Sequence, residues 1–567
     1  MTDMRRTLLW VVFAMSLVLL WDAWQKHTGQ SSMFGGNPRP AASAGPLVGS
    51  APAASTSAVG VPTPAALPGV AAPAAPAVAG LPQATPAVPT SEQVTITTDV
   101  VKATFDSVGG SLVRLELLAH RDLVDPQRNV VLLEQSPKRL YVAQTGLITG
   151  QAGVALPNHL TQMRVMPGER TLAAGANDIE LRFESPSTDG HKLVKTFSFK
   201  RGEYTLRVKH EFVNQGSTSI SPQVYLQLAR DGNPPEGESS FYFTFTGPAI
   251  YTEAQKFQKV DFKDITKGNT SHEKSADSGW VAMVQHYFAS AWLVPQAGPR
   301  EFRTTRVADN HYTVAMVLPM GEVAPDSSKS LEAILFVGPQ EENKLAALAP
   351  GLELVKDYGW LTVLSKPLFW LLDQLHSMLG NWGWAIVALV VLLKIAFYWL
   401  NAAAYRSMGK MKAVAPKVNE LRERYKDKPQ EMQQAMMRIY KEEKVNPLGG
   451  CLPILVQMPF FIALYWVLLA SVEMRNAPWI GWITDLAAKD PWFILPVLMT
   501  ASSLFQVWLN PAPTDPMQAK LMWFLPLAFG FMFFFFPAGL VLYWLTNNIL
   551  SIAQQWFINK QLGVLGK

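Results

Sequence analysis

The sequence predicts a polytopic α-helical membrane protein of six spans that also carries one large all-β sandwich outside the cytoplasm. Three observations point to this. Charged residues make up only 16% of the 567 residues, against about 25% in soluble proteins, and long apolar runs crowd the last third of the chain. Short stretches of alternating apolar and polar residues fill 94–345. Basic residues are distributed unequally: 401–446 holds eleven Lys or Arg, whereas 473–491 holds only Arg475 and Lys489. The positive-inside rule then places 401–446 in the cytoplasm.

The N-terminus (1–27) has a basic start at Arg5 and Arg6, an apolar run from Leu8 to Leu20, and an aromatic edge at Trp21 and Trp24. No small-residue cleavage site follows the run, so it reads as an uncleaved signal anchor with its basic end inside; a cleaved signal peptide is the alternative. Residues 28–93 are Ala, Pro, Gly, Ser and Val with only Arg39 and Glu92 charged. Such a segment cannot bury a core, and its prolines keep it extended, so it is a tether.

Between 94 and 345 the stretches Val94–Thr98, Val100–Phe105, Thr205–Phe212 and Gln223–Leu228 alternate with period two. Turn signals such as Gly109-Gly110 and Asp231-Gly232-Asn233-Pro234 lie between strands. About 250 residues suits one large sandwich. It follows a span whose start is inside, which in a bacterium puts it in the periplasm. The region 346–383 turns helical. From Pro367, one face gathers Leu368, Leu371, Leu372, Leu375 and Leu379, and the other Asp373, Gln374, His376 and Ser377. That pattern predicts a helix lying in the membrane interface, entered through Trp360 and Trp370.

Five further spans are expected, at 384–400 and, within 447–558, at 448–472, 492–509, 521–536 and 540–557, each near the roughly 20 residues that cross the hydrocarbon core. Phe536-Pro537-Ala538-Gly539 reverses the chain between the last two. The cytoplasmic segment 401–446 repeats apolar residues at helical spacing: Val414, Val418, Leu421 and Tyr425, then Met432, Met436, Ile439 and Tyr440. This is a basic helical hairpin, either self-packed to anchor topology or offering a Met-rich docking surface. Six spans put the tail, 559–567, inside with the N-terminus.

Composition also excludes functions. A net charge of +5 is too small to argue for nucleic acid. The single cysteine, Cys451, permits neither an internal disulfide nor a thiolate zinc site. The nine histidines lie at no metal-ligand spacing, and neither a phosphate-binding Gly-rich loop nor a nucleophile elbow is present. No enzyme, cofactor or metal is expected.

One residue violates the pattern. Lys394 stands in the apolar run Ala385–Trp399. A cation at mid-bilayer costs about 2.5–3.5 kcal/mol. It lies about six residues, roughly 9 Å, from the cytoplasmic end of its span, so a snorkelling anchor is one reading. The other spans hold no Asp or Glu to pair with it, but do hold Gln457, Gln506, Thr546, Asn547, Asn548, Ser551 and Gln554. A lysine among amides suggests a wet cavity open towards the cytoplasm.

The stretch Lys444–Pro459 (KVNPLGGCLPILVQMP) resembles the signature of the YidC/Oxa/Alb membrane protein insertases. Thr514–Gln518 and Phe536–Trp544 resemble that family's further signatures, and the layout is similar to the Gram-negative YidC form. The resemblance implies a β-supersandwich in the periplasm and a five-span insertase core enclosing a hydrophilic groove. It implies that Lys394, where arginine is usual, draws the acidic outer part of a substrate into the groove. Charge is kept there and the bidentate fork is lost. Gln506, Trp544, Gln457 and Asn547 would line the groove. Met458, Phe460, Phe461, Leu464, Phe531, Phe533 and Phe534 would form the slide along which the apolar segment leaves. The implied partners are nascent membrane proteins, the ribosome, signal recognition machinery, the Sec translocon and the phospholipid bilayer, with no specific nucleic-acid sequence. A transporter or channel is the rival reading, but it predicts a repeat between span pairs that the sequence lacks. A sugar-binding or sugar-active periplasmic domain is the other, but none of its seven histidines carries a supporting motif.

Overall fold

The computed structural model describes residues 91–237, 244–425, 428–443, 452–509 and 516–561, in two units that divide between Lys356 and Asp357. The expected signal anchor, nearly all of the tether, residues 444–451 and 514–515 of the first two signature stretches and the last residues of the tail lie outside the described residues.

The first unit consists of two nine-stranded antiparallel sheets. One runs, in spatial order, β1 (Gln93–Thr97), β2 (Val101–Asp106), β3 (Ser111–Arg121), β4 (Asn129–Gln135), β5 (Leu140–Ile148), β10 (Gln223–Asp231), β17 (His311–Pro319), β16 (Arg300–Ala308), β13 (Ser275–Ala276). The other runs β12 (Lys256–Lys259), β11 (Gly247–Thr252), β14 (Trp280–Val284), β15 (Phe288–Leu293), β18 (Ser327–Pro339), β9 (Thr205–Asn214), β8 (His191–Lys200), β7 (Asp178–Glu184), β6 (Arg164–Val165). The alternation read from the sequence is the alternation of burial: β2 buries Val101, Ala103 and Phe105 and turns Lys102 outward. Aromatic residues of both sheets meet in the core, with Phe105 4.6 Å from Phe197 between ring centres.

Polar side chains cross the same core. Lys195 is fully buried and donates to the carbonyls of Gly109 and Thr145, both at 2.6 Å. Tyr141 pairs with Ser290 at 2.5 Å, and the Trp292 indole donates to the Gln227 carbonyl at 3.1 Å. Two short helices, α1 (Phe262–Lys267) and α2 (Glu342–Leu348), complete the unit.

The second unit is helical. It comprises α3 (Thr362–Leu379), α4 (Trp382–Ala396), α5 (Tyr398–Arg424), α6 (Pro429–Glu442), α7 (Leu452–Ala470), α8 (Ile494–Leu509), α9 (Pro516–Phe533) and α10 (Ala538–Gln561). Here the structure departs from the expected full-length spans. Among the described residues no single helix is long and apolar enough to cross a membrane; α4 and α5 up to Ser407 reach that measure only together, bent by 65°. The 16 residues of α8 rise only about 24 Å. The 24 residues of α10 are long enough but carry Asn547, Asn548, Ser551, Gln554 and Gln555.

The span expected over 384–400 therefore ends early. Phe397 closes α4, its N–H bonded to the Leu393 carbonyl at 2.9 Å, and the basic hairpin's first helix starts at once with Tyr398. In that hairpin Val414 and Val418 are buried against Met436, Ile439 and Tyr440, the seam the spacing predicted.

The interfacial helix is also corrected. It starts at Thr362 rather than Pro367, and its buried stripe is Ser365, Leu368, Phe369 and Leu372; Leu379 is exposed. Packing against α4 and α7 selects this stripe, and Ser365 donates to the Ala463 carbonyl of α7 at 3.3 Å. Trp370 and Val363 face outward. Gly380, at φ +67°, ends α3 in the left-handed conformation that glycine adopts without strain, its N–H bonded to His376 O at 2.8 Å.

Candidate functional site

Three helices each turn one face to a common shallow recess. From α4 and its end come Val390, Leu393, Lys394 and Phe397; from α7, Gln457, Phe460 and Phe461; from α10, Tyr543 and Asn547. The spacings are those of helix faces: i, i+3, i+4 and i+7 on α4, i, i+3 and i+4 on α7, i and i+4 on α10. The walls are mostly aliphatic and aromatic, with Phe397 edge-on to Phe460 at 5.0 Å.

Lys394 is half-buried in this setting and donates to Ser551 Oγ on α10 at 2.7 Å. No carboxylate among the described residues forms an ion pair with it. The amides around it are tied into the frame. Gln457 donates to Asn401 Oδ1 at 2.8 Å, joining α7 to α5 beyond the bend, and Gln554 donates to the Tyr398 carbonyl at 3.3 Å.

The sequence-predicted residues separate into groups. Lys394, Gln457, Phe460, Phe461 and Asn547 line the recess together. Trp544 sits beside it, packed on Phe461 and Phe533 at 6.0 and 5.3 Å. Gln506, half-buried on α8, is not among the lining residues. Of the remaining slide residues, Met458 and Phe531 are exposed, at 46% and 68%. Leu464 and Phe533 are buried, at 1% and 3%. Phe534 packs on Phe493 at 5.4 Å. Asn401 and Tyr543 were not singled out from the sequence. Asn401 lies beyond the bend at Phe397, so no spacing along a single helix relates it to Lys394.

The connection 475–493 is tied by hydrogen bonds to the starts of α4, α8 and α10. Ala538 and Gly539, at the start of α10, donate to the carbonyls of Ala488 and Leu486 at 2.7 and 2.9 Å. Asn381 caps α4 by accepting from Trp384 N, and donates to the Pro478 carbonyl at 3.0 Å. Buried Asp490 accepts from the Trp482 indole and from the N–H groups of Trp492 and Leu495, fixing the start of α8. Burial pushes the nearby Asp485 carboxyl above its ordinary value, opposed by the N–H of Ala487. The five-residue step from Ala538 to Tyr543, the first lining residue of α10, puts roughly 8 Å of helix between these contacts and the recess. No cluster of metal-ligating side chains occurs among the described residues.

A two-sheet β unit followed in the chain by short, apolar helices around a half-buried cation defines a class: membrane proteins that join a large β domain to a helical membrane region. Comparison with known proteins agrees. Residues 93–371 match the family described as YidC periplasmic domain, and residues 374–563 the family described as 60Kd inner membrane protein. The membrane protein insertase YidC of Janthinobacterium sp. (strain Marseille) is 52% identical over 580 residues, covering 99% of this chain and 100% of its own. That of Cupriavidus necator is 54% identical over 564 residues, covering 99% and 98%. A solved active YidC insertase with its first transmembrane domain resolved covers 82% of this chain and 92% of its own, at 17% identity and a TM-score of 0.39. The chain belongs to the YidC family of membrane protein insertases, in its Gram-negative form. It is a bacterial inner-membrane protein with a periplasmic domain.

Proposed function

We propose that the recess around Lys394 is the station at which a substrate's polar outer segment waits while its apolar segment enters the lipid. One observation carries this reading: a half-buried ammonium, walled by apolar groups, whose partner is a hydroxyl rather than a carboxylate. Its positive potential is not cancelled locally, and low-dielectric walls extend it, so an acidic or polar peptide is attracted. The connection 475–493 then acts as a seal that makes the recess a half-channel, closed outside and open towards the cytoplasm. Met458 and Phe531 are the exposed part of the slide, and Leu464 and Phe533 support it from behind.

In this scheme the helices, with the signal anchor, count as six crossings of a locally thinned bilayer, and both termini are cytoplasmic. The ribosome and the Sec translocon are the partners that deliver or share substrates. No nucleotide, metal or covalent step is needed, because attraction and burial of the apolar segment drive the transfer.

The test is insertion of a single-span substrate with an acidic outer segment into liposomes containing the protein. Lys394→Arg retains insertion, Lys394→Ala loses roughly tenfold, equivalent to about 1.4 kcal/mol, and Lys394→Glu abolishes it. Full activity of Lys394→Ala across several such substrates overturns the mechanism.

A further inference from the structure

Ser551 is 5% exposed and sits in the centre of a chain of three groups. Its hydroxyl donates to the Asn547 carbonyl one turn back, at 2.7 Å. Having spent its only proton there, Oγ turns its lone pairs elsewhere. Lys394 Nζ donates to it at 2.7 Å, and the Tyr405 hydroxyl from α5 interacts with it as well. Back-bonding to the i−4 carbonyl is common for serine in helices and by itself means little. Here the back-bond fixes the rotamer that presents an acceptor to the cation, and the three groups come from three helices.

The chemistry of lysine makes such a holder useful. An ammonium on a four-carbon stem is a mobile point charge, free to snorkel out of the recess towards water. A guanidinium would be oriented by its planar fork, but an ammonium needs its direction supplied from outside. We propose that Ser551 is a positioning residue for insertion: it parks the Lys394 charge at the mouth of the recess, with Tyr405 as the second hydroxyl of the cradle. The inference rests on the reading of Lys394 given above and adds to it the group that holds the charge in place.

The experiment compares two substrates, identical except that the outer segment is acidic in one and neutral in the other, in liposomes containing the full chain. For Ser551→Ala the acidic-to-neutral insertion ratio falls about tenfold, the size expected for one charge-assisted hydrogen bond. Ser551→Thr, which keeps a back-bonded hydroxyl, restores it. In a Lys394→Ala background, Ser551→Ala has no further effect on the ratio, because the serine acts through the lysine. Tyr405→Phe lowers the ratio less, and supplies the measurement should Ser551→Ala fail to assemble. An equal loss for both substrates, or a loss that persists without Lys394, reduces Ser551 to helix packing and overturns the proposal. A wild-type ratio in Ser551→Ala with a reduced one in Lys394→Ala overturns this inference alone. A wild-type ratio in Lys394→Ala overturns the charge mechanism itself.

Discussion

Lys195 in the β unit and Lys394 in the helical unit are both lysines withdrawn from bulk water, yet their surroundings differ in kind. Lys195 has no exposed surface; two carbonyls receive its protons, and His210 is the buried titratable neighbour. Burial pushes the Lys195 amine down to about 7, and pushes His210 down to about 3, with the Lys195 charge adding to the effect. A neutral amine still has two N–H groups, one for each carbonyl, so the site is complete without a charge. Lys394 is only half-buried, bonds a hydroxyl, and stands at the edge of a recess. The first lysine is a closed structural link between sheets. The second has no carboxylate partner among the described residues, and its charge is the one the proposed mechanism uses. Burial alone does not mark function; what decides is whether the donors are all taken.

The largest effect expected from breaking this contrast lies in the β unit. Lys195→Met keeps the bulk but leaves two inward carbonyls without a donor, each at a cost of about 1–3 kcal/mol, so the unit loses roughly 2–6 kcal/mol. It also changes the response to pH. In the native state Lys195 sheds its proton near 7, whereas the unfolded chain holds it to about 10.5. A lowered native value means that the unfolded state binds more protons between those limits, so stability rises with pH across that window. Thermal unfolding of the β unit, followed from pH 7 to 10 in detergent, therefore shows a rising midpoint that Lys195→Met flattens. An unchanged slope means that the lysine is not the titrating group.

Both lysines stood in the sequence, but only one was legible. Lys394 was visible because an apolar run has no other cation. Lys195 falls on the inward positions of β8, in step with Leu193, Phe197 and Phe199, so the period of two placed it inside. Its charge argued the other way, and only the carbonyls of Gly109 and Thr145, distant in sequence, resolve the conflict. The β strands and the hairpin seam were legible because their periodicity is local. The bend after Phe397 was not: no proline or glycine marks it, hydropathy runs on through it, and it is accompanied by the packing of Phe397 on Phe460. The division of the expected slide into exposed and buried members is likewise tertiary. Met458, Phe531, Leu464 and Phe533 are equally apolar, and only helix packing tells them apart.

That division gives an intermediate effect. Leu464→Ala and Phe533→Ala remove buried side chains and cost about 2–5 kcal/mol in the helical unit. Met458→Ala and Phe531→Ala change stability by less than about 0.5 kcal/mol. On the proposed slide the order reverses for insertion: Met458→Ala and Phe531→Ala lower it more than Leu464→Ala and Phe533→Ala do. Unfolding in detergent and insertion in liposomes measure the two scales separately. If Phe531→Ala destabilises as much as Phe533→Ala, the exposed residue is part of the core and the slide is elsewhere.

The smallest effect sharpens the comparison within the helical unit itself. Asn548 points away from the recess and donates to Ser502 and Ser503 of α8 at 3.2 and 2.7 Å, tying α8 to α10. Gln457 donates to Asn401 at 2.8 Å but also lines the recess. Inter-helical hydrogen bonds of this kind are worth about 0.6 kcal/mol each in membranes, because the separated helices find other partners. Asn548→Leu and Gln457→Leu therefore lose similar, small amounts of stability in detergent unfolding. They part in the insertion assay: Gln457→Leu lowers transfer of the acidic-segment substrate by removing a polar contact from the waiting station, and Asn548→Leu leaves it close to wild type. Equal insertion by the two variants would mean that Lys394 alone supplies the polarity of the recess, and that the amide on its wall serves only to join two helices.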